Sequence, residues 1–177
     1  LNEKIPELKH IRFKQLNKNL GRSKIRNLLA SEAKFDYLLF VDCDSKIGSE
    51  NYIQNYLKQG SRSDVIYGGR SYNRIAPETA DFYLRWHYGM RRETKNPGDR
   101  KKEPYRCFMT NNFLIHRELF NSIKFDESII GYGYEDTLFA QKLRNHYVKI
   151  EHIDNPLIHI GLEPAQDFLD KTKNLQK

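Results

Sequence analysis

Cysteine is scarce in this chain: Cys43 and Cys107 are the only two in 177 residues. Two thiols give neither a disulfide framework nor a zinc pattern, and a reducing, cytoplasmic compartment is the simpler setting. Long apolar runs are missing too. The longest candidate, Tyr37 to Val41, is the size of a strand and far short of a membrane span. No signal peptide is evident, although an anchoring segment outside the chain is compatible with these residues. No internal repeat or low-complexity segment stands out, and neither a glycine-rich dinucleotide fingerprint nor a Walker loop occurs. The opening residue is Leu1 rather than methionine, which suggests a processed or trimmed product.

What is present suffices for one folded domain. A hydrophobic fraction of 38% with 12% aromatics excludes global disorder, and the length suits one core better than two. The formal net charge of +7 attracts phosphates, whether in nucleic acid, nucleotide-sugars or anionic headgroups. A nucleic-acid partner is disfavoured, because no recognisable motif for one occurs and the acids cluster where a phosphate backbone would be repelled.

Hydrophobic periodicity predicts alternating strands and helices, hence an α/β fold. Ile11 to Leu16 reads as a short strand. A helix follows from about Ser23, with Ile25, Leu28, Leu29 and Ala33 as its apolar stripe. Tyr37 to Val41 reads as a strand buried on both faces of a parallel sheet. Further expectations are a helix over 50–59, a strand over 64–69 and a long aromatic helix over 78–91 opened by Pro77. The basic, turn-rich stretch from Arg91 to Lys102 reads as a mobile loop that could close over a ligand. Phe108 to His116 is an expected strand, and a short helix follows near Glu118. A helix over 135–145 should turn Leu138, Phe139 and Leu143 inward. Two short strands and a last helix after Pro164 complete the chain.

Four motifs carry chemistry. The first is Asp42-Cys43-Asp44 at the end of an apolar strand, where open α/β sheets bind ligands. Alternation lets both acids point one way, and hard oxygen donors suit Mn²⁺ or Mg²⁺ bridging to a diphosphate. The second is Gly131-Tyr132-Gly133-Tyr134-Glu135-Asp136. Adjacent acids at a helix start can simply complement its dipole. Glycines that admit a ligand close to the backbone, with rings suited to stacking on a sugar, favour a carbohydrate site instead. The third is His159, a candidate third metal ligand through a neutral imidazole nitrogen. The segment from Gly21 to Asn27, with Arg22 and Arg26, outlines an anion site at a helix start.

With these residues in order, the chain resembles the family-2-type inverting glycosyltransferases of the GT-A fold, and with them the β-1,4-galactosyltransferase and chondroitin-polymerase branches. NKNLGRSKIRN, YLLFVDCD, KFDESIIGYGYED and LIHIG match the family pattern in sequence order. The resemblance implies a Rossmann-like nucleotide-diphospho-sugar transferase sheet with flanking helices, lacking the first strands. The chain would then be a single catalytic domain over 1–177 without its N-terminal βαβ part, a unit of roughly 30 residues or more. It implies a UDP-sugar donor, a glycan or glycolipid acceptor and Mn²⁺ or Mg²⁺, with peripheral association at the inner face of a membrane.

Carried onto this sequence, Asp44 binds the metal, Asp42 assists with metal or ribose, and His159 completes the metal site. Arg22 and Arg26 approach the nucleotide diphosphate. Asp136 is the general base and Glu135 binds acceptor hydroxyls. Tyr132 and Tyr134 position the acceptor, and Thr110-Asn111-Asn112 lies under the donor sugar. Two alternatives remain at this point. One is a degenerate transferase that only binds glycan or nucleotide. The other is a phosphatase of the haloacid-dehalogenase type, against which stands Lys46 in place of the Thr or Val that its motif requires.

Overall fold

Asn19 and Gly21 start the first helix. The Asn19 side chain accepts the Gly21 N–H at 2.8 Å, and Gly21 adopts a φ of 79° that favours glycine. The structure, a computed structural model, describes residues 10–59, 63–129 and 133–174. Helix α1 (Arg22–Glu32) buries Ser23, Asn27 and Ala30. The expected stripe is rotated to the side, and Leu29 is exposed. The cause is polar: the Asn27 amide donates to the Phe125 carbonyl and accepts the Phe125 N–H, both at 3.0 Å. That pairing fixes the rotation of the helix. Residues 11–16, expected as a strand, run without regular structure because no described strand pairs with them.

The main sheet has the order β1-β5-β3-β6. It comprises β1 (Tyr37–Val41), β5 (Asn112–His116), β3 (Val65–Tyr67) and β6 (Ile150–His152). β5 runs antiparallel to both β1 and β3, and β3 runs parallel to β6. A smaller sheet has the order β2-β7-β4, built from β2 (Ser45–Ile47), β7 (Leu157–His159) and β4 (Arg70–Ser71). The architecture is therefore mixed α/β. The strand buried on both faces is β3, not β1 as the apolar run suggested. β1 has one partner among the described strands, and Tyr37 and Val41 at its ends are 47% and 44% exposed.

Period-two alternation divides the core. Val65, Tyr67, Phe113 and Ile115 face a phenylalanine-rich cluster with Phe108, Phe120, Phe125 and Phe139. Phe40 stacks on Phe113 at 4.6 Å and Phe125 on Phe139 at 4.3 Å, centroid to centroid, offset-stacked contacts that add to plain area burial. Ile66 turns the other way, toward Tyr52, Tyr56, Ile153 and Leu157. Helices α5 (Arg117–Ile123) and α6 (Glu135–Asn145) supply Phe120, Ile123, Phe139, Ala140 and Leu143 to the first cluster. Leu138, expected inside, is 41% exposed, and Ala140 takes the inner position. Helix α2 (Tyr52–Leu57) covers the second.

The expected aromatic helix is a run of three geometries. A 3₁₀ turn over Ala80–Phe82 leads into α3 (Tyr83–Tyr88), which continues as a π turn over Gly89–Glu93. The stretch expected as a mobile loop is ordered. Asn96 caps α4 (Pro97–Lys102) by accepting the Asp99 N–H at 2.9 Å, and Pro97 fits the first turn. Arg100 then buries its guanidinium, donating to the carbonyls of Ile153 at 2.6 Å, Lys95 at 3.1 Å and Gly68 at 3.3 Å. It lies 5.1 Å from the Tyr67 ring centre. Residues 91–102 are thus tied to the main sheet through Arg100 and do not form the mobile loop expected. Helix α7 (Ala165–Asn174) ends the described chain.

Two measurements check this packing. Gly69 has a φ of +101°, and a Cβ there would meet Arg100 Nη1 at 1.8 Å. Gly69→Ala should therefore lower unfolding free energy by about 2 kcal/mol or more, read from urea denaturation. His152 is buried, donating Nε2–H to the Pro104 carbonyl at 3.0 Å, and burial pushes its imidazole down to about 4. Below pH 6.5 the unfolded chain takes a proton that the folded one refuses. Stability should fall as the pH drops from about 6.5 toward 4, and His152→Gln should flatten that part of the melting-temperature profile.

Candidate functional site

Strand β1 ends at Val41 and delivers Asp42, whose backbone N–H bonds the Asn111 carbonyl at 3.1 Å. The chain then turns through Cys43, which is exposed, and Asp44 enters β2. β2 pairs antiparallel with β7 so that Ser45 faces His159, and the Ile160 N–H bonds the Asp44 carbonyl at 2.8 Å. This pairing brings Asp44 beside His159, with Oδ1 3.6 Å from Nδ1. Gly161 makes room for the acid: a Cβ there would lie 2.7 Å from the Asp44 Cβ.

A narrow polar cleft of about 110 Å³ collects these groups. Among the residues expected from the sequence, Arg22, Arg26, Asp42, Asp44, Asn111, Asp136 and His159 line it. Arg26 of α1 is its organiser. Its Nη2 donates to Asp42 Oδ1 at 2.8 Å, while Nη1 lies 3.8 Å from Glu135 and 4.0 Å from Asp136. Glu135 is buried at the start of α6 and accepts from Arg22 at 2.8 Å. Its carboxylate therefore braces two arginines.

Asp136 is half-buried and accepts a hydrogen bond from the Thr110 hydroxyl. Burial pushes its carboxyl above the usual range, and the neighbouring Glu135 adds to this; the Thr110 donor and Arg26 pull the other way. The His159–Arg70 pair beside Asp44 holds that carboxyl below the usual range despite partial desolvation, with Arg70 supplying the positive charge. Asn111 is buried with neither amide atom hydrogen-bonded, so both are available to something entering the cleft.

Three expected residues stand apart. Asn112 is fully buried, and its amide is saturated. It accepts from Tyr52 and Tyr56 at 2.6 and 2.5 Å and donates to Gly69 and Asn155 at 2.8 and 2.9 Å. It anchors loops, and of the two asparagines it is Asn111 that lines the cleft. Tyr134 is 57% exposed and takes a left-handed φ of 65° just before α6, an unusual conformation for a bulky residue. Tyr132 lies outside the described residues, as does Gly131.

The cleft also holds Arg70, Arg85, Glu163 and Lys171, which the sequence did not single out. Arg70 Nη2 reaches His159 Nδ1 at 2.6 Å, and Nη1 lies 3.5 Å from Glu93 Oε2. Arg85 pairs with Glu93 Oε1 at 3.1 Å. Against the desolvation of its burial, Arg85 and Arg70 hold the Glu93 carboxyl below the usual range. A basic residue after Gly68-Gly69 was the only local signal for Arg70, and none marked Arg85.

The pair that can hold a divalent cation is Asp44 and His159. Asp44 Oδ1 is buried without a hydrogen-bond partner, and a carboxylate with an imidazole suits such an ion. Asp42, expected as a further ligand, is engaged by Arg26 instead. Among the described residues no three His, Cys, Asp or Glu side chains gather as a metal cluster.

Solved structures of S. aureus TarS share the GT-A architecture. Residues 1–349 of that protein match with a TM-score of 0.61 at 19% identity, over 98% of this chain and 50% of that one. The same protein in complex with UDP-GlcNAc matches with a TM-score of 0.59 at 18% identity, over 98% of this chain and 51% of that one. Its complex with UDP gives 0.60 at 20% identity, over 97% and 49%. The chain thus spans about half the length of these structures, and at such identities the likeness concerns the fold. No curated protein matches. The model described as Glycosyl transferase family 2 matches residues 1–124, most of the chain, and on that match the chain belongs to glycosyl transferase family 2.

Proposed function

We propose that this chain carries the metal, diphosphate and acceptor side of an inverting transfer of a sugar from a UDP-sugar to a glycan or glycolipid hydroxyl. One observation carries the reading. Asp136, held by the Thr110 hydroxyl, shares a single polar cleft with the Asp44–His159 pair and an arginine cluster. A displacement at an anomeric carbon needs a base for the incoming hydroxyl and positive charge for the outgoing diphosphate. Family membership and the nucleotide complexes of the structurally similar TarS protein support the same choice of donor.

The groups have distinct tasks in this reading. Asp136 accepts the acceptor hydroxyl proton as that oxygen forms its bond to the anomeric carbon, and the bond from that carbon to the diphosphate breaks. Thr110 holds the Asp136 carboxylate in place. Asn111 offers an amide donor and acceptor to sugar hydroxyls. Arg22 and Arg26, braced by Glu135, supply fixed positive charge near the phosphates. A divalent cation on Asp44 and His159, Mn²⁺ or Mg²⁺, supplies Lewis-acid neutralisation of the leaving group when bound. No described helix is long and apolar enough to cross a membrane. An acceptor at the inner, cytoplasmic face would be approached through the basic surface.

Two experiments test the assignment of the base. Asp136→Asn should cut turnover by roughly 10²–10⁴-fold while calorimetry shows UDP still bound; wild-type turnover would sink the assignment. The Thr110 hydroxyl favours the charged carboxylate, so Thr110→Val should raise the pKa of Asp136 further. Because the base must be ionised, the acid limb of kcat should move to higher pH. An unmoved or acid-shifted limb would exclude Asp136 as the group it reports.

A further inference from the structure

The contact between Arg70 and His159 bears directly on how the metal site works. Arginine has donors only, so the 2.6 Å contact means that Arg70 donates and His159 Nδ1 accepts. A neutral imidazole with Nδ1 as acceptor carries its proton on Nε2. In this arrangement His159 therefore has no lone pair left for a metal, and Nδ1 is the nitrogen that faces Asp44. The two donor atoms are 3.6 Å apart, close enough for one ion to reach both at about 2.1 Å. The lone pair it would need is the one that the guanidinium holds.

Arg70 also has donor capacity to spare. Its Nε is buried without a partner, and its Nη1 is 3.5 Å from Glu93, beyond ordinary hydrogen-bond length. Glu93 is shared with Arg85 and the Tyr72 hydroxyl. Arg85 also lies 4.0 Å from Glu163, while Arg70 sits between Glu93 behind it and Asp44 across the cleft. A divalent ion entering beside Arg70 meets like charge. A diphosphate entering with it meets a guanidinium with an unused donor.

We propose that Arg70 is a positioning residue that occupies the coordinating face of His159 in the free protein and yields it when a nucleotide diphosphate arrives. Arg70 thereby couples metal binding to nucleotide binding. This rests on the reading of Asp44 and His159 as the metal pair. By linkage, UDP then tightens the metal and the metal tightens UDP. Without Arg70 the metal site stands open on its own.

The test uses the intact protein that contains this chain, with MnCl₂ titrated with and without UDP and free Mn²⁺ followed by electron paramagnetic resonance. Wild type should bind Mn²⁺ weakly alone and more tightly with UDP. Arg70→Met should tighten Mn²⁺ binding without UDP by about tenfold, within the usual range of coupling between sites, and should shrink the enhancement that UDP gives. Arg70→Lys, which keeps a charge and a donor, should lie between the two and serves as a reading if Arg70→Met folds poorly. Adding His159→Ala to Arg70→Met should abolish the gain. Equal Mn²⁺ binding in wild type and both Arg70 variants, with UDP enhancement intact, overturns the role of Arg70 and leaves the metal pair standing. A gain that survives loss of His159 overturns it as well. Absence of Mn²⁺ binding in every protein even with saturating UDP overturns the metal pair and the role of Arg70 together.

Discussion

The saturated side chain of Asn112 is the interaction on which the site's geometry depends. Its carbonyl takes two tyrosine hydroxyls from α2, and its amide reaches the backbone after β3 and after β6. Those two loops lead into β4 and β7, which carry Arg70 and His159. The amide thus sets where the small sheet attaches to the large one. A buried polar network of this kind is costly if any member is unmet, and here every valence of Asn112 is met. Next to it in sequence, the Asn111 side-chain amide has no hydrogen-bond partner. Adjacent asparagines on opposite sides of one strand entrance divide the work: one stabilises, the other is left open to a ligand.

Charge in the cleft is balanced in pairs that cross element boundaries. Arg26 from α1 faces Asp42 after β1, Arg22 faces Glu135 at the start of α6, and Arg85 faces Glu93 in the π turn. Partly buried ions of this sort contribute little net stability, since desolvation offsets their attraction. Their effect is on position and on the protonation of their neighbours. Asp44 and Asp136 move in opposite directions within one cleft because the first lies beside a histidine and the second is desolvated next to another acid. Oppositely displaced carboxyls suit opposite tasks, one remaining charged toward a cation and one able to take a proton.

Much of this was legible in the chain, and the failures have physical causes. Helix α6 was readable to its ends because acids at its start and bases in its last turn match the dipole. The acids of Asp42-Cys43-Asp44 were readable because an apolar strand preceded them. The burial of β1 was not, since a run such as Tyr37 to Val41 looks the same at an edge as in a centre. Leu138 misled because helix rotation is fixed by neighbours such as Phe139 and Leu143, which reach the core first. The stretch from Arg91 to Lys102 misled because six basic side chains imply solvent, whereas Arg100 finds three backbone carbonyls. Arg70 and Arg85 could not be foreseen, for their roles arise only from partners brought in by folding: His159 for the one and the π turn's Glu93 for the other.

The anchoring of Arg100 has a consequence for how this protein can diverge. The guanidinium fills the space that any side chain at Gly69 would need, so neither position can drift alone. A larger residue at 69 requires a smaller one at 100, and the loss of Arg100 leaves three carbonyls without their donor. Across related sequences the two positions should change as a unit or stay as they are. Their covariation would be a historical record of a steric exchange between the loop after β3 and a helix some thirty residues further along the chain.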